Sequence, residues 1–341
     1  MKKRASAILK VIIPLALGIW LVFSTYNGLD VHQREELFSA FREANWWWLF
    51  LTMFLGWLSH LSRAWRWRYL LLHLGHPVGL WNAYHAVMSG YFMNMLVPRA
   101  GEVSRGLALY RSDGVPFEKG FGTILAERAV DLLMLLGIAG ATLLLQRDSI
   151  DQLYERVVAY RVGQGLGTPS VLATWGVWIL GGLVLAGALL AWLVWSRPAL
   201  RARVLDVVRG VVAGVRSVLQ TRHKAQFLVH TCLIWGLYVG MFWIGFQALP
   251  STSTVPLAGI MAGFIAGSIG IVLVQGGIGV YPAFVGLIVS MYMPAVEGGG
   301  AIQPDALAMG WLLWAAQTIM LIVLGGLSLL LAARDRTPET T

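Results

Sequence analysis

Three groups of residues combine chemistry-bearing side chains with a spacing that lets them act together. The first is Asn94-Met95-Leu96-Val97-Pro98-Arg99-Ala100-Gly101-Glu102-Val103-Ser104-Arg105-Gly106. Pro98 and Gly101 interrupt a helix here, which frees backbone groups for a ligand. Arg99, Glu102 and Arg105 follow at three-residue spacing, so they converge on one region if Glu102 begins a new helix. Two guanidiniums clamp a phosphate through paired donors, and the carboxylate orients them or takes an ammonium. The plainer alternative is a cytoplasmic turn with ordinary loop arginines.

The second group is Glu127, Arg128 and Asp131, inside the apolar stretch from Phe121 to Leu145. Ionisable residues at membrane depth cost about 2.5–3.5 kcal/mol each on insertion scales, so they usually face a bundle interior or a wet cavity. Glu127 and Asp131 share a helix face at four-residue spacing, and Arg128 stands three residues before Asp131. An intrahelical ion pair or an interfacial position would account for the triplet without any function. The third group is Gln275-Gly276-Gly277-Ile278-Gly279-Val280-Tyr281. Its glycines permit chain reversal or close backbone approach, and Gln275 and Tyr281 place hydrogen-bonding groups at depth. Close helix packing alone would explain the glycines. His60, His85 and His230 show no metal-ligand spacing, and no nucleophile elbow, P-loop or HExxH motif is present. No catalytic residue, no metal and no cofactor is expected.

The elements that must position these groups are membrane helices. Of the 341 residues, 57% are apolar and 13% charged, with 16 Trp and 39 Gly. So few charges cannot coat a soluble globule, whose charged share is about a quarter. The single cysteine, Cys232, excludes an intramolecular disulfide framework and any CxxC motif. Long apolar stretches run from Ile8 to Phe23, Trp46 to Leu61, Phe121 to Leu145, Val171 to Trp195, Phe227 to Leu249 and Leu307 to Ala332, each near the ~20 residues a bilayer helix needs. Two more are apolar but broken: Leu80 to Val97, and Val255 to Met293.

Basic residues set the topology. If every stretch crossed once, the segment from Arg197 to Lys224, with seven basic residues and one acid, would face outward against the positive-inside rule. Letting Leu80 to Val97 enter from the cytoplasm and return repairs the parity. It also gathers Arg63, Arg66 and Arg68 with the other cytoplasmic cations and puts both termini inside. Val255 to Met293 then dips from the outer side, either crossing fully or returning. The expected fold is an all-α polytopic integral membrane protein with about six full transmembrane helices plus two broken or re-entrant hairpins. An inverted repeat is one reading of that pair. A single domain is expected over 1–341, with halves at about 1–145 and 171–332, a basic linker at 197–224 and a disordered tail at 333–341. In the linker, Val204, Val208, Val211, Val215 and Val218 form one helix stripe. That helix either lies on the inner leaflet or packs on the bundle.

The runs NMLVPRAGEVSRGLALYR, ILAERAVDLLML and GSIGIVLVQGGIGVYPAFV, in this order, resemble the transmembrane domain family of lysylphosphatidylglycerol synthases, a flippase-like family also found as free-standing proteins. The resemblance rests on Pro98 to Arg105, Glu127 to Asp131 and Gly276 to Gly279, and covers nearly the whole chain. It implies movement of a lipid headgroup between leaflets, with aminoacyl transfer belonging to a separate soluble domain. Because the chain stops at Thr341, shortly past its last apolar stretch, that domain is expected to be absent. The family usually has Pro before the double glycine and often Glu two residues after the third. Gln275 and Tyr281 stand there instead, and Tyr281 cannot offer a negative charge to a cationic headgroup.

The expected function is lipid translocation in a bacterial inner membrane, with membrane lipids bearing a phosphate headgroup as the partner and no nucleic acid. A homo-oligomer or an envelope-biosynthesis partner stays open. Asn94, Arg99, Glu102, Arg105, Glu127, Arg128 and Asp131 are the expected substrate-binding residues. Gln275, Gly276, Gly277, Gly279 and Tyr281 form the expected gate. The alternatives are an intramembrane transferase with Glu127 or Asp131 as general base, and an accessory subunit of an envelope glycolipid pathway.

Overall fold

The computed structural model describes residues 2–97, 100–146, 192, 195–294 and 302–334. Among these residues there are twelve α-helices and no strand. In chain order they are α1 (Lys2–Asn27), α2 (Val31–Glu43), α3 (Trp46–His73), α4 (Leu80–Leu96), α5 (Ala100–Asp113), α6 (Phe117–Leu145), α7 (Pro198–Gln220), α8 (Lys224–Gly245), the single turn α9 (Pro250–Ser253), α10 (Leu257–Leu273), α11 (Val280–Ser290) and α12 (Pro304–Arg334). Three of the described helical spans, Phe117–Leu145, Lys224–Ala248 and Pro304–Ala332, are long and apolar enough to cross a membrane. Val272, Leu143, Leu144 and Leu330 stand exposed on this bundle, as hydrocarbon-facing side chains must. The protein is a multi-pass membrane protein. The stretch from Val171 to 191 and the tail beyond Arg334 lie outside the described residues.

The broken segments are two helical hairpins, α4–α5 and α10–α11. With 17, 14, 17 and 11 residues, their arms reach about 25, 21, 25 and 16 Å, short of a ~30 Å hydrocarbon core. Contacts along α12 show that they come from opposite ends. His85 bonds Ser328, and Gly325 lies against Met88 and Phe92, so α4 runs from the far end of α12 toward its middle. Gly286 lies against Leu307, Pro282 against Gly310, and the Trp314 indole donates to the Gly276 carbonyl at 2.6 Å. The second hairpin therefore rises from the Pro304 end to the same middle.

There the tips meet. Gln275 Nε2 donates to the carbonyls of Asn94 (3.2 Å) and Met95 (2.9 Å), which the end of α4 leaves without helical partners. The turn itself needs glycine. Gly276, Gly277 and Gly279 have φ of 66°, 69° and 70°, a region costly for other L-residues. In the first hairpin, Gly101 sits so close to the Gly90 carbonyl that no side chain fits, which brings α5 directly onto α4.

Two apolar cores flank this midplane. Phe242, Phe246, Leu249, Val285, Met309 and Leu313 pack around the second hairpin, and Trp67, Leu71, Val87, Met88, Leu109 and Ile124 around the first. Helix α7 starts with Pro198 at its first turn and packs on α6, where Gly214 meets Ala126 and Ala129 and Val218 is buried with Leu70 and Phe227. Of the two readings of the basic linker, packing on the bundle describes this C-terminal part.

Candidate functional site

Helices α3, α5, α6 and α8 enclose a lattice of charges beside the tip of the first hairpin. Asp131 accepts from Arg63 Nη1 at 2.6 Å and from Arg66 Nη1 and Nη2 at 2.8 and 3.2 Å. Glu127 receives Arg66 Nε at 3.3 Å and Arg105 Nη2 at 2.8 Å. Arg66 also donates to Thr231 at 3.1 Å, and Arg63 to the Tyr238 hydroxyl at 3.3 Å. Arg105 lies 4.0 Å over the Trp67 ring, whose indole donates to Thr123 at 2.8 Å. All five charged groups are buried; Arg66 and Glu127 are 0% exposed. Burying so many charges costs several kcal/mol per ion unless each is paired and hydrogen-bonded, and the alternation of guanidinium and carboxylate supplies that pairing.

Sequence periodicity explains why these groups meet. Glu127 and Asp131 project from one face of α6, and Arg63 and Arg66, three residues apart, from one face of α3. Arg128 lies about 100° around α6 from Glu127. It pairs with Glu102 of α5 at 3.2 Å instead of with Asp131, so the intrahelical pair does not form. Arg63 and Arg66, counted in the sequence only among the cytoplasmic cations, are here buried members of the lattice. α3 continues past Leu61 to His73, and Arg63 lies within a turn of its midpoint. A signal was present in the sequence: two acids shared an α6 face whose own helix offered no cation there.

The edge of the lattice differs from its centre. Arg128 and Glu102 side chains are 38% and 25% exposed, and their contact is an ion pair without a hydrogen bond. Arg128 Nε is buried with no partner, and the Nε groups of Arg63 and Arg105 share that condition. These unpartnered donors come from three neighbouring helices, α3, α5 and α6. The His60 and Tyr91 rings lie tilted to one another with centroids 4.6 Å apart, and the buried His60 Nδ1 is likewise unpartnered. Arginine forks with unfilled donors beside aromatic hydroxyls are suited to an anion with several acceptor oxygens.

The remaining expected residues take structural positions around this site. Asn94 Oδ1 accepts from the Gly101 N–H at 2.7 Å and so caps the start of α5. Gln275 ties the two tips together, and Tyr281 fills the space beside Gly267, Gly270 and Gly277. Gly279 meets the Gly18 carbonyl, which sets α1 across the second tip. Arg99 and Pro98 lie outside the described residues. His230 bonds Ser62 at 2.8 Å.

The chain's residues 11–316 match the family described as lysylphosphatidylglycerol synthase TM region, and the chain belongs to that family. No curated protein and no solved structure matches it.

Proposed function

Taking membership of that family as the premise, we propose that this protein is a lipid translocase that carries a phosphate-bearing headgroup between leaflets of a bacterial inner membrane, with both termini cytoplasmic. One observation supports this above the others. A buried arginine–carboxylate lattice, with unfilled donors at its Arg128 edge, stands where hairpins from opposite sides of the bundle meet. Such a place gives a headgroup a polar station at depth while its acyl chains stay in lipid, and the tip contact through Gln275 closes the path beyond it. Short helices and non-helical backbone at depth are the usual surroundings of a transported group.

Arg128 is the best-placed phosphate ligand among the described residues, because Arg66, Arg63 and Arg105 are each committed to a buried carboxylate. Glu127 and Asp131 each have their oxygens occupied by two guanidiniums, out of reach of a substrate proton, which weighs against the transferase alternative. The test is reconstitution in vesicles with fluorescent anionic, zwitterionic and polyprenyl-phosphate lipids. Translocation exposes inner-leaflet label to an external quencher, with lipid mass unchanged. Absence of quenching for all three classes refutes transport, and a change of lipid mass favours a transferase.

A further inference from the structure

Within the charge cluster one carboxylate is held differently from the others. Glu127 and Asp131 are buried and accept guanidinium hydrogen bonds as short as 2.8 and 2.6 Å. Glu102 is partly exposed, touches one arginine at 3.2 Å and makes no hydrogen bond with it. That arginine, Arg128, has a buried Nε without a partner. Its planar fork of donors therefore meets one loosely placed oxygen where a phosphate could offer several.

Glu102 also has somewhere to go. It stands in the first turn of α5, where the helix dipole favours a carboxylate. Leaving Arg128 does not strand its charge.

The exchange conserves charge. Arg63, Arg66, Arg105 and Arg128 face Glu102, Glu127 and Asp131, so the described cluster carries one net positive charge in surroundings that penalise any imbalance. A phosphodiester, with one negative charge, replaces the single charge of Glu102 one for one and leaves that sum unchanged.

We propose that Glu102 is a displaceable counter-ion. A single lipid phosphodiester docks by taking the place of Glu102 on Arg128, and Glu102 returns to the arginine to release it. Glu102 thus keeps the empty site near balance and stops the headgroup from being trapped. This rests on the translocation reading for its purpose, but binding tests it without transport.

The experiment measures equilibrium binding of dihexanoyl phosphatidylglycerol to the full chain in detergent, for the natural protein, Glu102→Gln and Glu102→Asp. Thermal unfolding is recorded alongside. Removing the competing carboxylate is expected to tighten the phosphodiester about tenfold, equivalent to about 1.4 kcal/mol, with Glu102→Asp, whose shorter side chain reaches Arg128 less well, between the natural protein and Glu102→Gln. Binding of Glu102→Gln that is unchanged or weaker at natural thermal stability overturns the proposal. If Glu102→Gln unfolds, Glu102→Asp decides: a longer reach to Arg128 should tighten the phosphodiester measurably, and weaker binding refutes displacement. Vesicle translocation separates the two readings. Tighter binding by Glu102→Gln with no translocation by the natural protein leaves the counter-ion standing and removes the transporter. Translocation with an indifferent Glu102→Gln does the reverse.

Discussion

Replacing Asp131 by Asn isolates the contribution of the buried lattice. The carboxylate accepts three guanidinium hydrogen bonds, from Arg63 at 2.6 Å and from Arg66 at 2.8 and 3.2 Å. The amide keeps the shape, but it removes the negative charge and turns an N–H₂ group toward a guanidinium. Both arginines are buried, and Arg66 would retain only Glu127 as counter-charge. Removing one partner of a buried pair costs about 3–5 kcal/mol, a large share of a typical ~5–15 kcal/mol stability. Asp131→Asn should therefore lower the thermal unfolding midpoint in detergent far more than Arg128→Ala, whose half-exposed ion pair is worth about 0–1 kcal/mol. Arg63→Gln combined with Asp131→Asn removes one charge of each sign, and the double variant should regain part of the loss, with a coupling energy above about 1 kcal/mol. An Asp131→Asn midpoint equal to the natural protein, or a greater loss in Arg128→Ala, would refute the division into a structural centre and an available edge.

Further outcomes follow from the hairpins and the topology. Gly276 has φ of 66° and open space around its Cα, so Gly276→Ala should lose about 1–2 kcal/mol through backbone strain alone, and Gly276→Asn, which tolerates this conformation, clearly less; equal midpoints would contradict the turn geometry. Gln275→Leu leaves the Asn94 and Met95 carbonyls without their side-chain donor, and it should increase hydrogen exchange at the end of α4 while sparing α8. A short thiol cross-linker between cysteines at Met95 and Gln275, in a Cys232→Ser background, should stop translocation but not lipid binding; unaffected translocation would exclude tip separation. Cysteines replacing Arg111 and Arg161 should react with impermeant reagents from opposite sides of the membrane, and labelling from one side would overturn the expected orientation.

The apolar stretches and the two interruptions were legible because bilayer thickness and helix rise leave few alternatives for runs such as Phe121 to Leu145. Glycine at 276, 277 and 279 likewise announced a reversal, since left-handed φ values select it. The convergence of Glu102 and Arg105 on α6 followed from their spacing. The pairing of Arg63 and Arg66 with these acids is hidden in the sequence, because an arginine that ends an apolar run reads the same whether it faces water or a buried carboxylate. Only the unmatched acids of α6 distinguished the cases. Gln275 was visible as a polar group at depth, but its partners are backbone carbonyls 180 or more residues away in sequence. No side-chain pattern encodes such partners. The preference of Arg128 for Glu102 over Asp131 was also invisible, because it depends on how α5 lies against α6.

The most direct measurement compares translocation of a fluorescent phosphatidylglycerol in vesicles containing the natural protein, Arg128→Lys or Arg128→Ala, each with its thermal midpoint matched to the natural protein. The natural protein should expose inner-leaflet label to the quencher. Arg128→Lys, which keeps the charge but loses the paired donors, should be slower, and Arg128→Ala should fall to the level of protein-free vesicles. Undiminished translocation by Arg128→Ala, or none by the natural protein, would contradict the assignment of Arg128 as the headgroup's station.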